Sequence, residues 1–288
     1  MDSLNDKDFN QDPLDLIKKL KPMESRKSKQ EVWAELELML QKPAKKTGNV
    51  ISIFAKKWQI AASIVLLVAA CFLGTKFYSK TVKASPGKQE IAVLPDGSTV
   101  HLNSKSEIAY NPIWWAYNRE VHLTGEAFFK VQKGKKFTVI SPIGTTTVVG
   151  TSFNIFARDN DYEVTCLTGK VKVVSLKTNE KVLITPNQMV KFSNTGNIQL
   201  NLAVNAKLAT AWAFGKFVFT QVPIDKVLRE ISLRYGVVIK DLSNSKELYT
   251  GDFNKEKNIE LALNLVCKPF GLEYKKLPSG AYLIQKAP

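Results

Sequence analysis

Arginine is scarce. The chain has 288 residues and 41 basic side chains, and only five of them are arginine. Proteins that read bases and phosphates lean on the planar arginine fork. No zinc-finger, helix-turn-helix or aromatic RNA-binding pattern is present. The net charge of +15 is therefore read as a lysine-rich solvated surface, and no direct nucleic-acid partner is expected. Catalytic signatures are missing too. There is no HExxH, no G-x-S-x-G and no P-loop, and "GKFVFT" at 215–220 has too few glycines to cradle phosphate. Neither an enzyme nor a cofactor is expected.

Cysteine and histidine are few. Cys71, Cys166 and Cys267 make no disulfide framework. Cys166 falls in an alternating apolar run and Cys267 on a helix, so buried free thiols are expected there. His101 and His122 each sit in a Val-His-Leu triplet. They would share a metal only if their strands paired, and no metal site is expected. Asp159, Asp161 and Glu163 in "RDNDYE" lack the spacing and glycine of a calcium loop. They read as a solvated turn.

The chain does have one long uncharged run. Eighteen residues between Lys57 and Lys76 carry no formal charge. At about 1.5 Å per residue they span roughly 27 Å as a helix, close to the hydrocarbon thickness of a bilayer. Trp58 at one end and Phe77 and Tyr78 at the other are aromatics favoured at headgroup depth. A secretion signal would begin near the N-terminus, and Val68-Ala69-Ala70-Cys71 matches a lipobox only inside an apolar run. A buried core helix would carry a polar face. Residues 58–78 are thus expected to be a transmembrane helix. Lysines flank it almost evenly, and the Lys56-Lys57 pair tilts the N-terminus toward the cytoplasm.

Before the run, residues 1–57 carry two helix patterns. Asp12-Pro13 opens the first, with Leu14, Ile17 and Leu20 on one face, and Lys21-Pro22 ends it. Ser28-Lys29-Gln30-Glu31 is a capping box. The helix after it has Val32, Trp33, Leu36, Met39 and Leu40 on one stripe. The stripe either docks on a partner or packs the two helices together. Residues 43–49 read as a lysine-rich linker.

After a linker at 79–86, residues 87–202 switch to period two. "EIAVLPDGSTVHLN" is two strands around an Asp96-Gly97 turn. Further alternating runs follow with no helix between them, so this region is expected to be all-β. Glycines at 125, 150 and 169 recur between strand runs, which suits bulges or close crossings. Short strands with recurring glycine suggest a β-roll or solenoid rather than an immunoglobulin sandwich. In "NPIWWAYN", extended backbone would send Trp114 and Trp115 to opposite sides, one to the core and one outward.

A second linker is expected at 203–214, and 215–288 holds a duplication. Ile224, Val227, Leu228, Ile231 and Tyr235, then Gly236, recur 35 positions later as Ile259, Ala262, Leu263, Val266 and Phe270, then Gly271. Each glycine is followed by a strand run. This predicts a small α+β domain with two helices on one sheet face. "KFVFT" places Phe217 and Phe219 on one side of a strand and Val218 on the other. If that strand is an edge, it can accept a partner strand.

The stretches "LPDGSTVHLN", "REVHLTGEAFFKV", "VVGTSFNIFA" and "TGKVKV" resemble, in order, the motifs of FecR-type transmembrane anti-sigma regulators, over about 87–193. The C-terminal pattern is similar to the last domain of Bacteroidota FecR-type proteins, related to the short domain of secretins and TonB-dependent transducers. The resemblance implies a single-pass inner-membrane protein with its outer domains in the periplasm. It implies two partners: an extracytoplasmic-function sigma factor, on Trp33, Leu36 and Leu40, and the N-terminal signalling domain of a TonB-dependent transporter, on Phe217, Val218 and Phe219 or on Trp114 and Trp115. The remaining reading is a membrane-anchored periplasmic scaffold or glycan-binding protein that uses Trp114 or Trp115.

Overall fold

The structure, a computed structural model, describes residues 27–41, 51–192 and 197–287. The helix pattern at 12–20 and the linker at 43–49 lie outside the described residues, as do the side chains of Lys56 and Lys57. Helix α1 (Lys29–Leu40) starts where the capping box predicts. Ser28 Oγ accepts from Glu31 N at 3.3 Å, and Glu31 Oε2 accepts from Ser28 N at 2.9 Å. Helix α2 (Ile51–Phe77) contains the uncharged run. Its stretch Trp58–Phe77 has a mean hydropathy of 2.1 and is long and apolar enough to cross a membrane.

Strands fill the next region. In chain order they are β1 (Lys80–Ala84), β2 (Glu90–Val93), β3 (Thr99–Leu102), β4 (Ser106–Tyr110) and β5 (Arg119–Lys130). Then come β6 (Phe137–Ile140), β7 (Gly144–Val148), β8 (Ser152–Arg158) and β9 (Asp161–Thr168). The last four are β10 (Val171–Ser175), β11 (Lys181–Ile184), β12 (Gln188–Phe192) and β13 (Ile198–Asn201). They form one curled sheet that is best followed from β5, whose two halves have different neighbours. The first half lies between β4 and β6, with Ile108 opposite Leu123 and Val121 opposite Val139. The second lies between β3 and β8, with Val100 and Phe153 both opposite Phe129. β7, β10 and β11 extend the first layer, and β9, β12 and β13 extend the second. Among the described residues of this region, only the β5–β6 pair is parallel.

Gly125 sits where β5 passes from one layer to the other. Its φ is +102°, and a Cβ there would lie 2.5 Å from Ser106 Oγ. Only glycine fits such a bend. Alternating side chains fill the space between the layers: Phe129 stacks on Phe153 at 5.1 Å, and Tyr162 on Phe192 at 5.4 Å. The β2–β3 hairpin turns at Asp96-Gly97, with Gly97 at φ +79°. Asp96 also pairs with the buried Arg119. This pair and the Ser98 hydrogen bonds outweigh burial and hold the Asp96 carboxyl below its usual range. The two histidines stay apart in register: His101 is opposite Phe128, and His122 is opposite Ala109.

A 3₁₀ segment, Leu208–Phe214, leads into the C-terminal part. β14 (Lys216–Pro223), α3 (Ile224–Tyr235) and β15 (Ile239–Asp241) form one unit. β16 (Leu248–Asn254), α4 (Ile259–Cys267) and β17 (Leu272–Lys276) repeat it, and β18 (Tyr282–Lys286) ends it. The two first strands pair with each other, β14 with β16, antiparallel. The two last strands flank β18, parallel for β15 and antiparallel for β17. Gly236 and Gly271 follow the two helical runs in left-handed conformation, φ +70° and +64°, as a helix C-terminus favours. Ile224, Val227, Leu228 and Ile231 are buried with Ile259, Leu263 and Val266 in one core. Each such side chain contributes roughly 1.5–3 kcal/mol.

Candidate functional site

Among the described residues, β14 has a strand on one side only. Lys255 N donates to Gly215 O at 2.6 Å just beyond the end of the β14–β16 ladder. Bonded and non-bonded positions alternate along an antiparallel pair. Phe217 and Phe219, opposite Phe253 and Gly251, therefore bond across to β16. The N–H and C=O of Val218 turn to the open side. That side borders a groove of about 820 Å³, lined by Val218, Thr220, Leu208, Phe214, Leu167 and Phe128. Phe214 is 77% exposed. An open strand edge beside an apolar groove is the geometry that accepts an added strand.

Phe217 does not line that groove, and Phe219, which does, is only 8% exposed. Both are buried, and Phe217 stacks on Phe253 at 4.9 Å and on Tyr235 at 6.1 Å. What this strand offers a partner is its backbone and Val218.

At the Lys216 end of the same edge, where the Lys216 carbonyl also faces away from β16, is a polar junction with the β-rich part. Asn103 Nδ2 donates to Glu126 Oε2 at 2.7 Å and to Glu230 Oε1 at 3.2 Å. Asn154 Nδ2 donates to Glu126 Oε1 at 3.0 Å, and Asn154 Oδ1 accepts from Trp212 Nε1 at 3.3 Å. Arg158 Nη2 reaches Ser104 O at 2.7 Å. Arg234, 2% exposed, donates from Nη1 to Lys216 O at 2.6 Å. Glu126, Asn154, Arg158, Glu230 and Arg234 line, with Phe217 and Phe219, a cavity of about 310 Å³. Burial pushes the Glu126 carboxyl up, although Arg158 and the two asparagines oppose it. Burial and the Glu126 charge push Glu230 to about 7. Burial pulls Arg234 below its ordinary value.

Sequence reasoning missed this junction. Asp159 and Asp161, read as a solvated turn, are also part of it: Asp159 pairs with Arg229, and Asp161 with Lys226 at 2.7 Å. The backbone adds Gly87 N donating to Leu233 O at 2.9 Å. The available signal was the rarity of arginine. Arg158, Arg229 and Arg234, three of five, lie here, and Arg119 is the buried partner of Asp96.

The tryptophan pair divides. Trp115 is core, edge-on to Tyr110 at 5.5 Å and Phe137 at 5.9 Å. It therefore has no surface for a partner, contrary to its place among the binding candidates. Trp114 is half-buried against Phe72 of α2 at 5.3 Å. On α1, Trp33 is 63% exposed, and Val32, Leu36, Met39 and Leu40 are exposed beside it. Cys166 and Cys267 are buried free thiols, pushed up by burial to about 11 and about 12.

Two family models match the chain: FecR protein over residues 80–172, and FecR, C-terminal over residues 216–280. Two crystal structures of candidate anti-sigma factors from Parabacteroides distasonis ATCC 8503, at 2.50 and 1.65 Å, are similar to it, at 28% and 27% identity. Each has a TM-score of 0.67 and covers 73% of this chain and 100% of its own. No curated protein matches the sequence. The β-rich part and the duplicated C-terminal part thus match the two FecR models in order, and the chain belongs to the FecR family of anti-sigma regulators.

Proposed function

We propose that this regulator is a single-pass inner-membrane relay. Residues 1–57 lie in the cytoplasm and hold an extracytoplasmic-function sigma factor. Residues 58–78 cross the membrane. A β-roll-like domain, with β1 at 80–84 added to residues 87–202, and a small α+β domain at 215–288, joined through 203–214, lie in the periplasm. There they read the N-terminal signalling domain of a TonB-dependent transporter. The work is coupling between two binding surfaces, without catalysis or a cofactor.

The observation that carries this reading is the exposed stripe of α1. Trp33, Leu36 and Leu40 stand out on a capped helix, and apolar stripes at this spacing are what helix-in-groove recognition uses. The open edge at Val218 supports the transporter contact in the same way, by strand addition.

Topology tests the arrangement. A reporter enzyme that works only after export is expected to be active when fused after Ser85 and silent when fused at Met1. The reverse pattern would place α1 outside the cytoplasm and remove the sigma-factor role.

A further inference from the structure

The loop after β4 is tied to the end of α2. Asn111 Nδ2 donates to Thr75 O at 2.9 Å and to Lys76 O at 3.0 Å. These are carbonyls of the last helical turn, which have no partner within a helix. Asn111 Oδ1 in turn accepts from Ile113 N at 2.9 Å and Trp114 N at 3.1 Å, which fixes the loop's own turn. Trp114 then lies edge-on to Phe72. Phe72 is five residues inside the apolar stretch that ends at Phe77, about 7 Å along the axis. A side chain resting on Phe72 is thus below the end of the span.

The same loop presents two more large groups outward. Tyr117 is 82% exposed and Ile113 is exposed, and Phe77 and Tyr78 are exposed beside them. Tyr117 packs on Trp114 at 5.8 Å. A cavity of about 530 Å³ opens between Phe72, Phe77, Tyr78, Trp114 and Tyr117. Trp and Tyr rings with an aliphatic neighbour form the composition of the interfacial belt of a membrane protein.

We infer that the 111–117 loop is seated in the bilayer interface, with Ile113, Trp114 and Tyr117 among the lipid headgroups of the membrane that α2 crosses. This rests on reading α2 as a membrane span. The occupant of the loop's exposed face is lipid, because its hydrogen bonds and its ring contact with α2 fix it at the depth of residues 72–76. The β-rich domain is then held against the membrane surface rather than tethered to swing freely.

The test uses the full chain in phospholipid nanodiscs with one spin label at a time. Cys71 is exposed on α2, whereas Cys166 and Cys267 are buried. A label on Cys71 therefore reports the helix. With Cys71→Ala as background, Ile113→Cys and, separately, Tyr117→Cys report the loop. The expected result is that the label at 71 collides more with oxygen than with a water-soluble nickel chelate, and that labels at 113 and 117 lie near the boundary, partly shielded from the chelate. A Cys71 label in water would overturn the span itself. A Cys71 label at hydrocarbon depth with both loop labels fully open to the nickel chelate would overturn the seating alone, and would leave the loop to a protein or glycan partner.

Discussion

Arg234 sits over the ring of Phe217. Its Cζ is 3.7 Å from the ring centre, and its Nη1 holds the Lys216 carbonyl at 2.6 Å. One side chain of α3 thus fixes the start of β14 while supplying positive charge to Glu126 and Glu230. Arg234→Leu keeps the volume but leaves two carboxyls without that charge. The outer fragment from Ser79 should lose about 2–4 kcal/mol in urea unfolding. Arg234→Lys should restore less than half of it, because an ammonium cannot both stack and reach the carbonyl as a planar fork does.

Glu230 gives the outer fragment a pH dependence. Its folded pKa, about 7, lies above the ordinary carboxylate range, so the folded state binds the extra proton. That stabilisation is full below the unfolded value near 4.5 and is lost as pH rises through 7. The fragment should be more stable at pH 5 than at pH 8. Glu230 is only partly buried by surface area, so the expected span is about 1–2 kcal/mol. Glu230→Gln should flatten the profile between these pH values. An equally steep profile in that variant would assign the effect to another group.

Gly125→Ala tests the bend of β5. The added methyl would meet Ser106 Oγ at 2.5 Å and its Cα at 2.8 Å, on a backbone at φ +102°. The expected loss is more than about 2 kcal/mol. Gly97→Ala is the control: φ is also positive, but the nearest atom is 3.9 Å away, so about 1 kcal/mol is expected. Thermal unfolding of both variants decides whether crowding or backbone strain dominates.

Val218→Pro separates an open edge from a bonded strand. The Val218 N–H faces away from β16, so its removal should leave the circular dichroism of the outer fragment unchanged. Binding of the transporter signalling domain should fall at least tenfold, while Val218→Thr binds normally. A fragment that folds and still binds with unaltered affinity would rule out this edge. One that unfolds would show that the residue bonds within the sheet.

What could be read from the sequence was local chemistry. The Ser28–Glu31 box, the Asp96-Gly97 turn and the two helix stripes ending in Gly236 and Gly271 depend on neighbours within a turn or two, and the structure has each of them. The junction depends on neighbours far along the chain. Glu126 stands in an alternating strand as any outward residue would; its partners Asn103 and Asn154 are 23 and 28 positions away, and Glu230, the other partner of Asn103, is 127 positions from that asparagine. Asp161 looked like a turn residue because its lysine partner is 65 positions on. No periodicity records such pairs. Arginine rarity pointed toward them, but only once each arginine is asked what it holds. Trp114 and Trp115 do separate, but on a turn in which Tyr117 N and Asn118 N both donate to Trp114 O, and not by the alternation of extended backbone. That Trp114 would rest on Phe72, 42 positions earlier, had no local signature.

The central claim is that the α1 stripe holds a sigma factor, and affinity is its most direct measure. Segment 1–57 serves as bait, the captured extracytoplasmic-function sigma factor is purified, and binding is followed by calorimetry. Replacing Trp33 and Leu36 together by Ala should weaken binding by several kcal/mol, since buried anchors of this kind cost about 2 kcal/mol or more each. The outer domains should remain folded. Unchanged affinity in the double variant, or no sigma factor captured by the intact segment, would contradict the account.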